Sequence, residues 1–136
     1  MASNLNLGLT AAGTIPTSAF VKMSADFKAV VCANATAPII GISTQASRRV
    51  DDPDNAAVAN EPLATYGPGE IGWVRAGAAF AVGVLLTSDA SGNAIAMPAN
   101  VNAVQYAGAR ALQAAGGAGE IVKVLVWLDT VRNAVA

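Results

Sequence analysis

Residues 66–95 read YGPGEIGWVRAGAAFAVGVLLTSDASGNAI. Two apolar runs lie on either side of small-residue joints, and the second run ends in Ser88 to Asn93, where Ser, Asp, Gly and Asn are concentrated. Such residues between apolar runs predict a hairpin turn followed by a new strand. Only three charged side chains are spread through the thirty residues. We therefore interpret this stretch as scaffold rather than as a catalytic segment.

Length and composition set the outer limits. A chain of 136 residues is long enough for one domain with its own core. Charged residues make up only 12% of it and the mean hydropathy is +0.46, although no apolar run approaches the roughly 20 residues of a membrane helix. A small domain with so few charges is expected to have a partly apolar exterior, which is typical of a subunit that packs against neighbours.

The remaining chain reads as short strands separated by Gly, Pro, Asn and Asp. The predicted strands are 19–23, 27–33, 37–46, 106–115 and 120–129, and the last, EIVKVLVWLD, is the clearest and can run through the middle of a sheet. No long helix is expected, because glycines interrupt the one candidate at 106–115. This pattern predicts an all-β fold, a small antiparallel β-barrel or sandwich with long loops.

The N-terminal residues 1–18 have a different character from the rest. Leu5, Leu7 and Leu9 alternate with Asn4 and polar or small residues, and a Gly-Thr-Ile-Pro step ends the segment. Alternation of this kind predicts an extended arm with one apolar edge, suited to addition to the sheet edge of a partner. A frayed terminus is the open alternative. Residues 19–136 are then predicted to form a single β-barrel-like domain.

Residues 47–62, SRRVDDPDNAAVANEP, predict a long polar loop. Its acidic group of Asp51, Asp52 and Asp54 lies beside Arg48 and Arg49. Carboxylates can bind a hard cation, but the glycine and the final Glu of a calcium loop are absent, which favours a solvated, partly self-neutralised loop. The Gly-Pro-Gly-Glu sequence at 67–70 similarly favours a turn over a phosphate-binding loop.

The residue inventory argues against most catalytic chemistry. The chain has no histidine and one cysteine, Cys32, which excludes Ser-His-Asp and Cys-His pairs and makes zinc, copper or non-haem iron sites improbable. We expect Cys32 to be a buried small hydrophobe. The net charge of −1 and the scattered Lys and Arg argue against a nucleic-acid partner. We predict no catalytic residue, no metal site and no cofactor.

Several phrases together resemble a known family. GIST at 41–44, YGPGEI at 66–71, VRAGAAFAVGVLLTSDASGNAI at 74–95 and YAGARALQAAGGAGEIVKVLV at 106–126 are similar in order and spacing to the small capsid decoration, or cement, proteins of tailed bacteriophages. The resemblance covers roughly 38–126. Two departures stand out: Val84 occupies a position where the family often has Asp, and the 47–62 segment is longer and more acidic than in the family.

The resemblance implies a structural virion protein with a β-barrel-like core and no enzymatic activity. Proteins of this family bind the outer surface of the expanded phage head, commonly as homotrimers at three-fold or quasi-three-fold positions, and stabilise contacts between capsomers. The implied partners are the major capsid protein and further copies of the chain, with no nucleic acid or membrane partner. The protein would be made in the host bacterial cytoplasm. We expect capsid or subunit contacts from the arm and the long loop: Asn4, Leu5, Leu7, Leu9, Arg48, Arg49, Asp51 and Asp52.

Two other function classes stay open. A phage fibre or spike-type domain, or a carbohydrate-binding β domain, would use Trp73, Tyr66 and Tyr106 as exposed platforms. Core or interface positions are the more ordinary use of the two tryptophans, Trp73 and Trp127. An enzyme would require a cleft that holds a carboxylate of raised pKa, and the sequence offers no candidate.

Overall fold

A computed structural model describes residues 9–44, 55–98 and 104–132. Within these ranges the protein is all-β, as predicted. Its strands are β1 (Thr10–Ala11), β2 (Ile15–Pro16), β3 (Phe20–Ala25), β4 (Lys28–Val31), β5 (Gly41–Ser43), β6 (Asn55–Ala57), β7 (Thr65–Tyr66), β8 (Ile71–Arg75), β9 (Leu85–Ser88), β10 (Ala94–Ala96), β11 (Val104–Ala111) and β12 (Ile121–Arg132).

The strands form two five-stranded sheets and one short pair. The first sheet has the order β1-β4-β3-β5-β7, the second has the order β10-β9-β11-β12-β8, and β2 pairs with β6. Every named pairing is antiparallel except that of β1 with β4. The predicted antiparallel barrel or sandwich is therefore confirmed as an architecture of two packed sheets.

The larger core lies between the two five-stranded sheets. Alternation along the strands supplies it: on β8 and β12 the inward residues Val74, Val122, Val124 and Val126 are buried. They pack with Phe20 and other apolar residues of the opposite sheet. Because successive strand side chains point to opposite faces, this inward set defines an outward set on the same two strands.

Two glycines allow the sheets to approach closely. Gly92 adopts a positive φ of 83° in the turn between β9 and β10, and its carbonyl accepts a hydrogen bond from Phe20 N at 2.8 Å. The predicted hairpin turn is thus confirmed, and it also joins the second sheet to the first. On β11, a Cβ added at Gly108 would lie 2.5 Å from the Phe20 ring, so only glycine fits there without movement of the ring.

A smaller core contains the described part of the predicted arm. Leu9, Ala11 and Ile15 are buried there, together with residues of β3, β4 and β6 and with Leu63. Backbone hydrogen bonds fix this segment, since Ala11 N donates to Glu61 O at 2.8 Å and Thr10 N donates to Phe27 O at 2.8 Å. The described part of the predicted arm therefore contributes buried side chains to the smaller core. Residues 1–8 of the predicted arm lie outside the described residues.

Other sequence-based bounds need correction. The predicted loop 47–62 contains β6, because the small apolar Ala57 pairs with Ile15 and is buried; residues 45–54 lie outside the described part. The strand predicted at 37–46 is shorter in the described residues, where only 41–43 form β5. The predictions at 19–23, 27–33, 106–115 and 120–129 correspond to β3, β4, β11 and β12.

Candidate interaction surface

Most residues that the sequence assigned to capsid or subunit contact cannot be placed. Asn4, Leu5, Leu7, Arg48, Arg49, Asp51 and Asp52 lie outside the described residues. Leu9 is described, and its side chain is only 3% exposed. Its carbonyl accepts a hydrogen bond from Leu63 N at 2.9 Å. Leu9 therefore contributes to the smaller core, and its contact with a capsid or subunit stays a prediction.

Among the described residues, several exposed large apolar side chains lie on the outward side of β8 and β12. Register places Lys123 opposite Trp73 and Leu125 opposite Ile71, with Ile121 opposite Arg75. We call this the tryptophan face, and define it as Ile71, Trp73, Arg75, Arg110, Leu112, Ile121, Lys123, Leu125 and Trp127. Ile71 is 54% exposed and Trp127 is 50% exposed. An antiparallel sheet can leave one face to solvent or to a partner in this way.

Two residues from β11 and its end extend the cross-strand pairs Ile71–Leu125 and Trp73–Lys123 onto a third strand. Arg110 lies opposite Leu125 in the ladder, which extends the row that contains Ile71. Leu112 follows the end of β11, and its backbone N–H donates to the Lys123 carbonyl at 3.1 Å, which extends the row that contains Trp73. The face therefore spans three neighbouring strands.

Three cations of the tryptophan face are held by local contacts. The Lys123 ammonium lies 5.3 Å from the centroid of the Trp73 ring, a cation–π geometry worth about 0.5–1 kcal/mol at an exposed site. Arg110 Nη1 donates to Gly83 O at 2.7 Å, and Arg75 Nη1 donates to Gly119 O at 3.4 Å. Because carbonyls rather than carboxylates orient both guanidinium groups, their charges are not neutralised by these contacts.

A second exposed apolar group occupies the tip of the β3–β4 hairpin. Phe27 is 67% exposed with a φ of 54°, and Met23 is 42% exposed. Exposed Asp26 and Lys28 flank Phe27. This tip is a small projection, whereas the tryptophan face is part of a sheet, so the tip offers less area for a flat partner.

The aromatic residues suggested as a platform do not lie together. Tyr66 packs against the larger core and its ring would contact a Cβ at Gly72. Burial, and then the nearby Glu70 carboxylate, raise the pKa of the Tyr66 phenol. Tyr106 lines an open cavity of about 360 Å³ with Ile39, Leu128 and others. Only Trp73 of the three lies on the tryptophan face, so these residues do not form one shared carbohydrate platform.

The sequence Gly67 to Glu70 forms a turn, as predicted. Glu70 N donates to Gly67 O at 3.1 Å, and the Glu70 carboxylate accepts from Gly67 N at 2.7 Å. The backbone N–H of Gly67 is therefore bound to the chain's own carboxylate. This turn connects β7 with β8, and Ile71 of the tryptophan face is the first residue of β8.

Catalytic and metal chemistry gain no support from the described residues. Cys32 is fully buried, as expected, and its thiol contacts backbone carbonyls. No three His, Cys, Asp or Glu side chains within the described ranges are placed to hold a metal ion. The same ranges contain no helix with the length and apolar character to cross a membrane.

Sequence reasoning missed the tryptophan face, although its signal was present. EIVKVLVWLD was interpreted as a strand in the middle of a sheet, and β12 does lie between β11 and β8. Its apolar residues nevertheless divide between two faces, with Val122, Val124 and Val126 inward. Lys123 in the middle of the run was the clue, because a lysine at that position marks the alternate residues as outward.

Comparisons with known proteins give one kind of match. No family model and no characterised sequence matches the chain. Its fold is similar to that of the head fiber gp8.5 N base in bacteriophage phi29, with a TM-score of 0.60 and 15% sequence identity. The likeness covers 93% of this chain and 94% of that one. At this identity the likeness establishes a shared fold.

Proposed function

We propose that this protein is a structural component of a tailed-phage virion that binds the outer surface of the head as a decoration, or cement, protein. The observation that carries the proposal is the fold likeness to a phage head fiber base over almost the whole of both chains. The ordered family-like phrases between 41 and 126 point to the same part of a virion independently. Its role is to hold neighbouring capsomers together, and it is made in the host cytoplasm before it binds the head.

The proposed partners are the major capsid protein and further copies of this chain, arranged as a homotrimer at three-fold or quasi-three-fold positions. Binding to a repeating lattice allows several modest contacts to act together, so no deep pocket is needed. Binding to neighbours also covers apolar surface, and the described residues expose ten large hydrophobic side chains. We propose no nucleic-acid or membrane partner.

We further propose that the protein is not an enzyme and uses no cofactor. A chain without histidine lacks the commonest general base. Its one thiol is buried between the sheets, away from any substrate. A structural role requires a stable shape and an adhesive surface, and both are available in this fold.

The test is co-sedimentation of the purified protein with expanded heads that lack it. We expect saturable binding with a fixed number of copies per head, and weak binding to unexpanded heads. The mass of the free protein, measured by light scattering, establishes whether the trimer forms before or during binding. Failure to bind expanded heads at any accessible concentration would contradict the proposal.

The proposed arm contact is tested by a deletion that stops before Leu9. Leu9 and Ala11 are buried in the smaller core, so removal of a dozen residues would also damage the fold. Removal of residues 1–8 keeps the hydrogen bonds of Leu9, Thr10 and Ala11 to Leu63, Phe27 and Glu61. If Asn4, Leu5 and Leu7 contact the capsid, this deletion lowers head binding while the melting temperature stays within a few degrees; unchanged binding would contradict the arm assignment.

A second candidate function is the base of a head fibre. The fold likeness favours it, because the similar structure is itself described as a head fiber base. The two functions differ in what extends from the head. Electron microscopy of heads saturated with this protein shows a low, regular coat for a decoration protein, and projecting fibres at fewer sites for a fibre base with its distal partner.

A further inference from the structure

The tryptophan face combines apolar area with charge of one sign. Its three charged members, Arg75, Arg110 and Lys123, are all cationic. The outward positions described on β8 and on β12 from Ile121 to Trp127 contain no carboxylate. Glu70 precedes β8, Glu120 precedes β12 and Asp129 follows Trp127 by two residues, so these carboxylates lie at the ends of the outward set.

The size of the face matches what a specific contact requires. The exposed fractions of Ile71, Trp73, Leu112, Ile121 and Trp127 correspond to an accessible surface on the order of a few hundred Å², comparable with the largest and often functional apolar patch of a monomer, which is about 300–600 Å². A standard interface buries about 800 Å² on each partner, of which little more than half is apolar. This face supplies the apolar part of one such contact.

Charge opposes the pairing of this face with the same face of a second copy. A second copy docked face to face would bring three cations against three cations, and such like-charge contacts oppose association. A surface that is apolar at its centre and carries carboxylates would instead pair with all three cations. Tryptophan and arginine are also the residues enriched at the energetic centres of interfaces.

We propose that the tryptophan face is the surface that docks on the head shell, against an apolar capsid surface that carries carboxylates. This inference rests on the proposed function and deepens it, because it names the contacting face and the chemistry of its partner. Trp127 and Ile71 supply the buried apolar centre of the contact. Lys123, Arg75 and Arg110 pair with acidic side chains of the capsid.

The test compares matched variants from two exposed regions of the full-length protein. Lys123→Glu and Trp127→Ser alter the tryptophan face, while Lys28→Glu and Phe27→Ser make the same changes at the β3–β4 tip. Binding to expanded heads is measured by co-sedimentation at low and at physiological salt. Circular dichroism and melting temperature confirm that each variant is folded, and light scattering gives its mass.

We expect each tryptophan-face variant to weaken binding at least about 10-fold, and each tip variant to bind within about 2-fold of the unaltered protein. Lys123→Glu should also reduce the salt dependence of binding, because it removes a screened attraction. Equal binding by both sets would overturn the inference while leaving the proposed function intact. A loss of self-association in the tryptophan-face variants, with head binding per subunit unchanged, would overturn it too and assign the face to a second copy. Absence of binding by the unaltered protein would overturn the proposed function and the inference with it.

Discussion

The inner and outer faces of β8 and β12 share one backbone but differ in burial and charge. Inward, Val74, Val122, Val124 and Val126 are at most 4% exposed and pack against the opposite sheet. Outward, Trp73, Trp127 and Lys123 are exposed or partly so. Since the outward apolar residues are larger than the inward valines, hydrophobicity alone does not explain why the inward side is the buried one. The inward side packs against the opposite sheet of the same chain. The outward side exposes apolar side chains that a separate partner could cover.

The largest test of this comparison is a pair of neighbouring substitutions on β12. Val124→Asp places a carboxylate in the fully buried core, where it lacks a partner, so we expect a loss of at least about 4 kcal/mol or failure to fold. Lys123→Asp, one residue away on the outward side, should cost about 1 kcal/mol or less. Urea unfolding of both variants measures the contrast. Similar losses for the two would contradict the assignment of faces.

The next test concerns how tightly the inner face is packed. Gly108→Ala places a methyl group 2.5 Å from the Phe20 ring, and we expect a loss of about 1–3 kcal/mol from overpacking. Phe20→Leu makes room, so the double variant should lose less than the sum of the two single losses. A double-mutant cycle by urea unfolding measures this coupling. Strict additivity would indicate that the ring moves away without cost.

The sequence predicts more of the fold than of the contact surface, because strands and turns leave local signals and surface exposure does not. Short strands and turns leave local signals, such as Ser88 to Asn93 before β10, and these were sufficient for an all-β assignment. Whether an apolar residue meets its own chain or solvent depends on pairing between distant strands, as with Trp73 and Lys123. The alternation of Leu5, Leu7 and Leu9 similarly predicted an extended arm with one apolar edge. The burial of Leu9 depends on the neighbouring strand β1, which pairs with β4 almost twenty residues later in the chain.

A smaller effect is expected within the outer face itself. The Lys123 ammonium over the Trp73 ring should contribute about 0.5–1 kcal/mol to stability. A double-mutant cycle with Lys123→Met and Trp73→Leu isolates that contribution, because each change keeps apolar bulk and removes the cation or the ring. A coupling energy of zero would show that the face is stabilised only by sheet pairing, and that Lys123 is fully available to a partner.

The smallest expected effect is a change in alkaline stability from Tyr66, which lies on β7 and packs against the larger core. Burial and the Glu70 carboxylate raise the pKa of its phenol in the folded protein above the ordinary value of 10.0. The unfolded chain therefore loses this proton first, so the stabilisation is fully present below pH 10 and is lost as pH rises from there through the folded pKa. The phenylalanine of Tyr66→Phe cannot ionise. The unfolding free energy of this variant should therefore fall less steeply between about pH 9 and pH 11, the range in which a tyrosine phenol begins to titrate. Denaturant unfolding across that range measures the slope for both proteins. Identical slopes would mean that the phenol ionises as readily in the folded state as in the unfolded one, which would contradict the raised pKa of Tyr66 and its packing against the larger core.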